Sequence, residues 1–581
     1  MFNFHLINTF FIFDTKYHLF YNFRKGIFMY LLLFHNDLKQ FLELKNINSN
    51  INISYSDYED YQYQTSIALS NKQISTVDLL SFLQTKSYYE KVSITGKGFI
   101  SVKFVIQNIE HQITKKQKVI IDYCGVNVAK KMHIGHIRSM FIGDYITRLH
   151  QYNGDEVIKI NHIGDFGNQF GYLINYIISN NLENSLTNQK LTEYYKLANI
   201  KNKEDSLFNK QSEEIAYKLQ HNLDNNITSI WKKCVDISME DAKNTFNTLN
   251  LKITKEDTQG ESFYAPFCEN VINDLLHKKI ATKTPENTVV IHLENKSTIV
   301  LQKSNGNYLY PLYDIVALKW RQENLNPDKI IYVVDKRQSL HFQQIFYIVK
   351  KANYITNNVI LKHIAFGTIL NKDKKPLKTK EGTSLYFDDL LLEGKNILLY
   401  NEYFSKIEPE IKSEILNKNI IGGLKFYDLK FNKNQDYIFD WNYVLNFSGG
   451  SAPYIQNALV RIDSIFYKLN LDINNNYEFN WNYSWSDKEK EIIFQIQKCS
   501  EIIHTIDGEY SSQTLIENII KTCQLFYSYY ETETVINSPQ QNEKLQLLKL
   551  IYSSITNNID ILGIDYYSCK QKMLSKSKLK I

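Results

Sequence analysis

The segment from Lys118 to Ile163 constrains the fold more than any other part of the chain. It reads KVIIDYCGVNVAKKMHIGHIRSMFIGDYITRLHQYNGDEVIKINHI. VIIDY is a short apolar run, the pattern of a buried parallel strand. HIRSMFIGDYITRLHQY carries apolar residues at intervals of three and four, which predicts a helix that Asn153-Gly154 ends. EVIKINHI restores the strand signal. Strand, helix and strand over so short a stretch make a βαβ unit, and that unit commits this part of the chain to an open parallel sheet. KIIYVVD (329–335) and NVILKHIAF (358–366) supply further strands.

The remaining sequence divides around this sheet. Residues 1–28 are aromatic, lack a small-residue cleavage site and are interrupted by Asp14, so they read as an extension outside the fold. Met1 and Met29 both stand as starts. Residues 29–112 alternate helical and strand signals and read as a small N-terminal α+β domain. Residues 113–400 hold the sheet, with a polar, helix-patterned insertion at about 172–250. A connecting segment (401–440) leads to 441–581, which is helix after helix, with Ile and Leu at 3.6 spacing. The fold class expected is therefore multidomain α/β: a Rossmann-like doubly wound sheet, a small N-terminal domain and an all-α C-terminal domain. Hydrophobic residues at 43% and charged residues at 22% exclude wholesale disorder, and a net charge of +5 excludes a polycation. The six cysteines form no CxxC pair, and no apolar run reaches a membrane span, so a reducing cytoplasm is expected and no membrane.

In such a sheet, ligands sit beyond the carboxyl ends of strands, at the following helix N-terminus. Here that loop is Val126-Asn127-Val128-Ala129-Lys130-Lys131-Met132-His133-Ile134-Gly135-His136. Helix N-terminal amides favour phosphate, Lys130 adds charge, and two imidazoles three residues apart share one face of the first turn. No GxxxxGK[ST] and no GxGxxG occurs, so a P-loop and a dinucleotide fold lose their fingerprints. A bare HxxH pair also suits a metal or a helix cap. No third ligand follows at zincin spacing, so no metal site is assigned and nucleotide binding is preferred.

His133-Ile134-Gly135-His136 on a βα turn resembles the HIGH signature of class I aminoacyl-tRNA synthetases. The blocks DYCGVNVAKKMHIGHIRS, NHIGDFGNQFG, VVDKRQSLHFQQIF, FGTILNKDKKPLKTKEGT and SGGSAPYIQNALVRIDSI, in that order, resemble the arginyl-tRNA synthetase family from about Asp57 to Ile564. The resemblance implies that arginine is activated by ATP to arginyl-adenylate and passed to tRNA(Arg), with AMP and pyrophosphate released. ATP arrives with Mg²⁺, there is no prosthetic group, and the enzyme is a cytoplasmic monomer. It implies that His133 and His136 hold ATP phosphates, that Lys130 offsets a lysine loop departing from KMSKS (Lys375–Gly382, with Lys378 as its catalytic lysine), and that activation waits for bound tRNA. For L-arginine it implies Glu261, Tyr310 and Asp314 at the guanidinium, which carboxylates meet through strong bidentate bonds. Asn127 and Gln338 fall at the amino and carboxylate ends. Pro311, Leu312 and Gly125 depart from the family's usual residues.

Two segments are expected to face RNA. Tyr58–Gln64 (YEDYQYQ), including Tyr61 and Gln62, suits base stacking and edge reading equally with an ordinary amphipathic helix start. Tyr454, Gln456, Asn457 and Arg461 resemble the family's anticodon-facing helix, with core packing as the alternative for Tyr454. A cysteinyl enzyme would need zinc-binding thiolates at its pocket, which this chain does not supply. A non-catalytic RNA-binding relative is disfavoured by the intact His133, Gly135, His136 and Glu261.

Overall fold

The computed structural model describes residues 30–56, 62–105, 116–294, 297–377, 385–400, 404, 409–475, 477–506 and 508–568. The extension at 1–28, Tyr61 and Lys378 lie outside the described residues. The chain forms two compact units. One lies within Met1–Thr114, Lys468–Ile506 and Asn518–Ile555, the other within Lys115–Tyr467, Asp507–Glu517 and Thr556–Ile581.

In the second unit four parallel strands stand in the order Ile360–Phe366, Lys329–Asp335, Lys118–Asp122, Glu156–Ile160. Val119, Ile120, Ile121, Ile330 and Ile331 are fully buried, as strands covered on both faces must be. The chain fills one side of Lys118–Asp122 first and returns later on the other. The strand order therefore reverses between Lys118–Asp122 and Lys329–Asp335, and a doubly wound sheet opens its ligand crevice at such a switch point.

Helix Ile137–Tyr152 is buried from Ile137 through His150, so it runs through the interior. Ser139 fixes it to two strands: its Oγ donates to the Val333 carbonyl at 2.7 Å and accepts from the Cys124 N–H at 3.1 Å. Its buried arginines are paired. Arg148 meets Asp144 at 2.7 Å and Asp560 at 2.9 Å, while Arg138 lies 2.9 Å from Asp428.

Between the strands Glu156–Ile160 and Lys329–Asp335 come the helices Asn168–Ser179, Asn188–Glu204, Ser206–Gln220 and Asn225–Thr248. Thr187, Asp205 and Asp224 start the last three by accepting backbone N–H groups of the first turn, which satisfies donors that otherwise lack a partner. A three-stranded antiparallel sheet, Thr282–Lys283, Val289–His292 and Thr298–Gln302, follows helix Glu261–His277. After the fourth strand, Ile369–Leu370 pairs in parallel with Tyr437–Ile438.

The first unit holds a four-stranded antiparallel sheet in the order Ile53–Tyr55, Tyr63–Thr65, Phe99–Phe104, Tyr89–Thr95. The helix start considered for YEDYQYQ is replaced here by strand Tyr63–Thr65. Tyr30, Phe34, Tyr63 and Phe104 centre the core, against which Phe494 also packs. Gln62 belongs to it as well: its Oε1 accepts the Phe104 N–H at 2.8 Å. That bond ties its carbonyl oxygen within the protein. Helix Asp487–Thr505 begins with a capping box between Ser486 and Glu489, and Gln541–Ile561 completes the helical part. No described helix is long and apolar enough to cross a membrane.

Gly143 gives this packing a sharp test. A Cβ there would lie 2.3 Å from Cγ of the Tyr123 ring, itself buried at a strand end. Alanine gains roughly 1 kcal/mol over glycine in a helix interior. Overpacking against a ring that cannot retreat costs about 1–3 kcal/mol, and more at so close an approach. Gly143→Ala is therefore expected to lower the urea midpoint. An unchanged or raised midpoint would show that Tyr123 moves aside freely.

Candidate active site

A cavity of about 580 Å³ opens at the switch point. Strand ends supply Asp122, Tyr332 to Asp335, and Phe366, and the turns beyond them supply Gly125, Asn127, His162 and Gln338. His133, Gly135 and His136 form its nucleotide-like corner, and Asp314, Phe342, Pro376 and Leu377 line the rest.

The turn entering helix Ile137–Tyr152 is held in an unusual shape. Cys124, Gly125 and Ala129 all take left-handed φ values, of 74°, 54° and 60°. For a residue with a Cβ that conformation costs on the order of 1 kcal/mol, and such strain concentrates at functional sites. Ala129 is held by a hydrogen bond from its N–H to Ser238 Oγ at 3.0 Å. His133 caps the short 3₁₀ turn Ile134–His136, accepting the Gly135 N–H at 3.0 Å. Gly135 is needed for that closeness, because a Cβ would come within 2.8 Å of the His133 ring. The two imidazoles lie 4.1 Å apart, and His136 Nε2 stands 3.0 Å from Asn127 Nδ2. Desolvation, then the neighbouring Lys130 charge, pulls His133 below the ordinary histidine range. Desolvation, then His133, pulls His136 down to about 4. Both rings are therefore neutral donors or acceptors at neutral pH.

Residues after the lysine segment return to this corner. Ile134 N–H donates to the Leu385 carbonyl at 3.0 Å, His133 pairs with Tyr386, and Lys131 meets Asp388 at 2.8 Å. On the other side Leu377 N–H donates to Ile369 at 3.0 Å, and Pro376 pairs with Leu370. Lys130 does not line the cavity; its Nζ rests 4.2 Å over the Tyr195 ring. Lys375 is described, beside the left-handed Lys374.

The acidic side gathers three carboxylates. Glu261 begins helix Glu261–His277, where its N–H donates to the Ile163 carbonyl at 3.1 Å. Its carboxyl is held well above the ordinary range, first by desolvation and then by the charges of Asp165 and Asp314. Asp165 rises to about 6 through desolvation, although it accepts Ser262 N–H at 2.9 Å and the Ser262 hydroxyl at 2.5 Å. Asp314 and Tyr310 share helix Tyr310–Leu325. Of the five expected arginine residues, Asn127, Asp314 and Gln338 line the cavity. Glu261 and Tyr310 stand outside its lining: Glu261 is half-buried, and Tyr310 is 60% exposed.

Beneath the cavity lies a charge pair that the sequence reading missed. Arg321, fully buried, lies 2.8 Å from Asp122 and donates to the Tyr332 hydroxyl at 2.8 Å and the Tyr264 hydroxyl at 3.3 Å. His162 stands 3.4 Å from it and stacks on Tyr264. Asp122, His162 and Asp335 sit at or just past the ends of three parallel strands. Applying the carboxyl-end rule to every strand, instead of the first alone, would have found all three.

On helix Ala452–Lys468, Tyr454, Asn457 and Arg461 are half-buried. Gln456 is buried, and its Nε2 donates to the carbonyls of Lys418 at 3.2 Å and Asp565 at 2.6 Å. Its amide nitrogen is a tie within the protein.

Arg321→Met would leave Asp122 charged and unpaired. Removing one partner of a buried pair costs roughly 3–5 kcal/mol, and pairing it with Asp122→Asn should recover much of that. Chemical denaturation of both variants checks this; equal losses in the single and double variants would mean that the pair contributes no coupling.

Residues 101–441 match the family model described as tRNA synthetases class I (R), catalytic domain, and residues 455–569 match the DALR anticodon binding domain. An arginine–tRNA ligase of Haemophilus influenzae (strain 86-028NP) is 34% identical over 513 residues, covering 84% of this chain and 88% of that one. One from Buchnera aphidicola subsp. Cinara cedri is 35% identical over 502 residues, covering 82% and 86%. The crystal structure of arginyl-tRNA synthetase from Plasmodium falciparum superposes with a TM-score of 0.76 at 26% identity, over 92% of this chain and 97% of that one. The Thermus thermophilus enzyme, at 18% identity and a TM-score of 0.75 over 93% and 100%, shares the fold.

Proposed function

The chain belongs to the class I arginyl-tRNA synthetases, and from that premise we propose how its own residues divide the work of joining L-arginine to tRNA(Arg). The observation that carries the assignment is one cavity in which the His133–His136 turn faces Asn127, Asp314 and Gln338. ATP, as its magnesium complex, lies with its phosphates at Val126–His136. His133 and His136 donate hydrogen bonds to α-phosphate oxygens as arginine's carboxylate attacks, because preorganised donors stabilise charge as it develops. Lys130 and Lys378 supply positive charge to the phosphates. Asn127 and Gln338 orient the amino and carboxylate ends of arginine, so that the attacking oxygen is in line with the pyrophosphate leaving group. Asp314 receives the guanidinium, with Glu261 behind it and the Tyr310 ring at the mouth.

The helical region takes the anticodon arm, with Tyr454, Asn457 and Arg461 as its contacts on helix Ala452–Lys468. A cytoplasmic monomer is the working state we assign.

His133→Ala and His136→Ala are each expected to lower adenylate formation by a factor on the order of 10² while equilibrium arginine binding persists. ATP–pyrophosphate exchange with tRNA present measures it, and near-wild-type rates in both would remove the histidines from the phosphate site.

The acidic cluster predicts a pH effect with a definite sign. Desolvation and the charges of Asp165 and Asp314 hold the Glu261 carboxyl above the ordinary range, whereas a guanidinium favours its ionised form. Arginine binding then expels a proton, so affinity should rise as pH rises towards the raised Glu261 range. Glu261→Gln should flatten that slope, and Asp314→Asn should weaken arginine binding at every pH while leaving the ATP KM nearly unchanged. Calorimetry in buffers of different ionisation heat reads the proton directly; a slope of the opposite sign would overturn the cluster's role.

A further inference from the structure

His341 connects the two helices that bear the acidic side of the pocket. Asp314 stands on the second turn of helix Tyr310–Leu325, and Gln338 precedes helix Ser339–Lys351. From the first turn of that second helix, His341 brings its Nε2 to 2.6 Å from Asp314 Oδ2. One side of its ring meets Tyr310, with centroids 5.0 Å apart and planes at 52°. It also meets the cavity-lining Phe342 edge-on, with centroids 5.3 Å apart. Both side chains of the pair are mostly withdrawn from solvent, at 14% and 17% exposure. Among the described residues Asp314 accepts no other hydrogen bond from the protein.

A guanidinium is planar and presents parallel N–H groups, so it discriminates strongly between a carboxylate held in one plane and one that turns. An aspartate turns easily, because its terminal torsion is broad and nearly two-fold. A bond from an imidazole N–H to one oxygen restrains that turning and still leaves acceptor sites on both oxygens for the ligand. We propose that His341 is a positioning residue for arginine recognition, holding the Asp314 carboxylate in the orientation that accepts the guanidinium. The inference rests on the reading of Asp314 as the guanidinium ligand. His341 acts through Asp314 and takes no part in the phosphate chemistry.

Steady-state kinetics of the full chain with tRNA tests this. His341→Leu should raise the arginine KM on the order of tenfold, as expected for losing a hydrogen bond to a charged group, with the ATP KM unchanged. His341→Asn, polar but too short to reach Oδ2, should behave like His341→Leu and guards against a mere packing defect. His341→Gln, whose amide N–H reaches the same oxygen, should recover most of the loss. On an Asp314→Asn background His341→Leu should add less than about twofold, since residues acting through one contact are not additive. An unchanged arginine KM in both His341→Leu and His341→Asn, or full additivity in the double variant, would overturn the proposal while Asp314 keeps its place. An unchanged arginine KM in Asp314→Asn alone would overturn the pocket assignment and the proposal with it.

Discussion

Arg321 and Asp122 set a constraint that the arrangement above them inherits. Asp122 ends the first strand of the parallel sheet and faces the cavity, where an uncompensated carboxylate would cost several kcal/mol or recruit a cation. Arg321 neutralises it from below, with Tyr264 and Tyr332 occupying further guanidinium donors. The same helix starts at Tyr310 and carries Asp314. One buried contact therefore fixes the spacing between the strand leading into the nucleotide turn and the helix bearing the acidic pocket. It also decides the charge of the cavity. With Asp122 already matched, the acidic surplus left near the cavity is the cluster of Asp314, Glu261 and Asp165.

The His133–His136 corner is stabilised by contacts distant in sequence. Ile134, His133 and Lys131 are gripped by Leu385, Tyr386 and Asp388, and Ala129 by Ser238. Strained φ values at Cys124 and Ala129 persist because these contacts over-determine the turn. The second wall is organised separately. Asp436 accepts the Thr368 N–H at 2.7 Å and meets Lys336 at 2.7 Å, and the short pairing of Ile369–Leu370 with Tyr437–Ile438 continues it. Leu377 and Leu385, the described residues flanking the lysine segment, thus both stand in fixed structure at the cavity.

Much of this was legible in the sequence, for physical reasons. VIIDY and KIIYVVD are buried on both faces, so their apolar runs carry the strand signal by themselves. The helix between the first strands shows its spacing and its Asn-Gly end. The His133–His136 turn was legible because it is local: His133, Gly135 and His136 form one turn whose capping bonds span at most three residues. What escaped depends on partners far apart. Arg321 lies 199 residues from Asp122, and nothing around either announces the other. His341 gave no signal apart from Asp314. The burial of Gln62 and Gln456 did not show, because an amide that ties down the backbone has the same sequence appearance as one that faces solvent. The short strands Ile369–Leu370 and Tyr437–Ile438 hold two residues each, too few for any period to show.

The depressed histidines and the acidic pocket solve one electrostatic problem together. Arginine brings a permanent positive charge into a cavity that must also hold triphosphate. An imidazolium at position 133 or 136 would bind phosphate before and during the reaction almost equally, and binding of that uniform kind does not accelerate the chemical step. It would also add a second cation to the cavity that admits the guanidinium. Burial removes that charge, taking His136 down to about 4, and leaves hydrogen bonds whose strength grows as charge develops on the α-phosphate. Permanent cations are placed differently: Lys130 lies over Tyr195 outside the lining, while Arg337 and Arg138 in the lining are paired, with Asp335 at 2.8 Å and Asp428 at 2.9 Å. In the proposed reaction, neutral donors therefore serve the transition state, and the carboxylate side of the cavity, with Glu261 held above its ordinary range, meets the substrate's own charge.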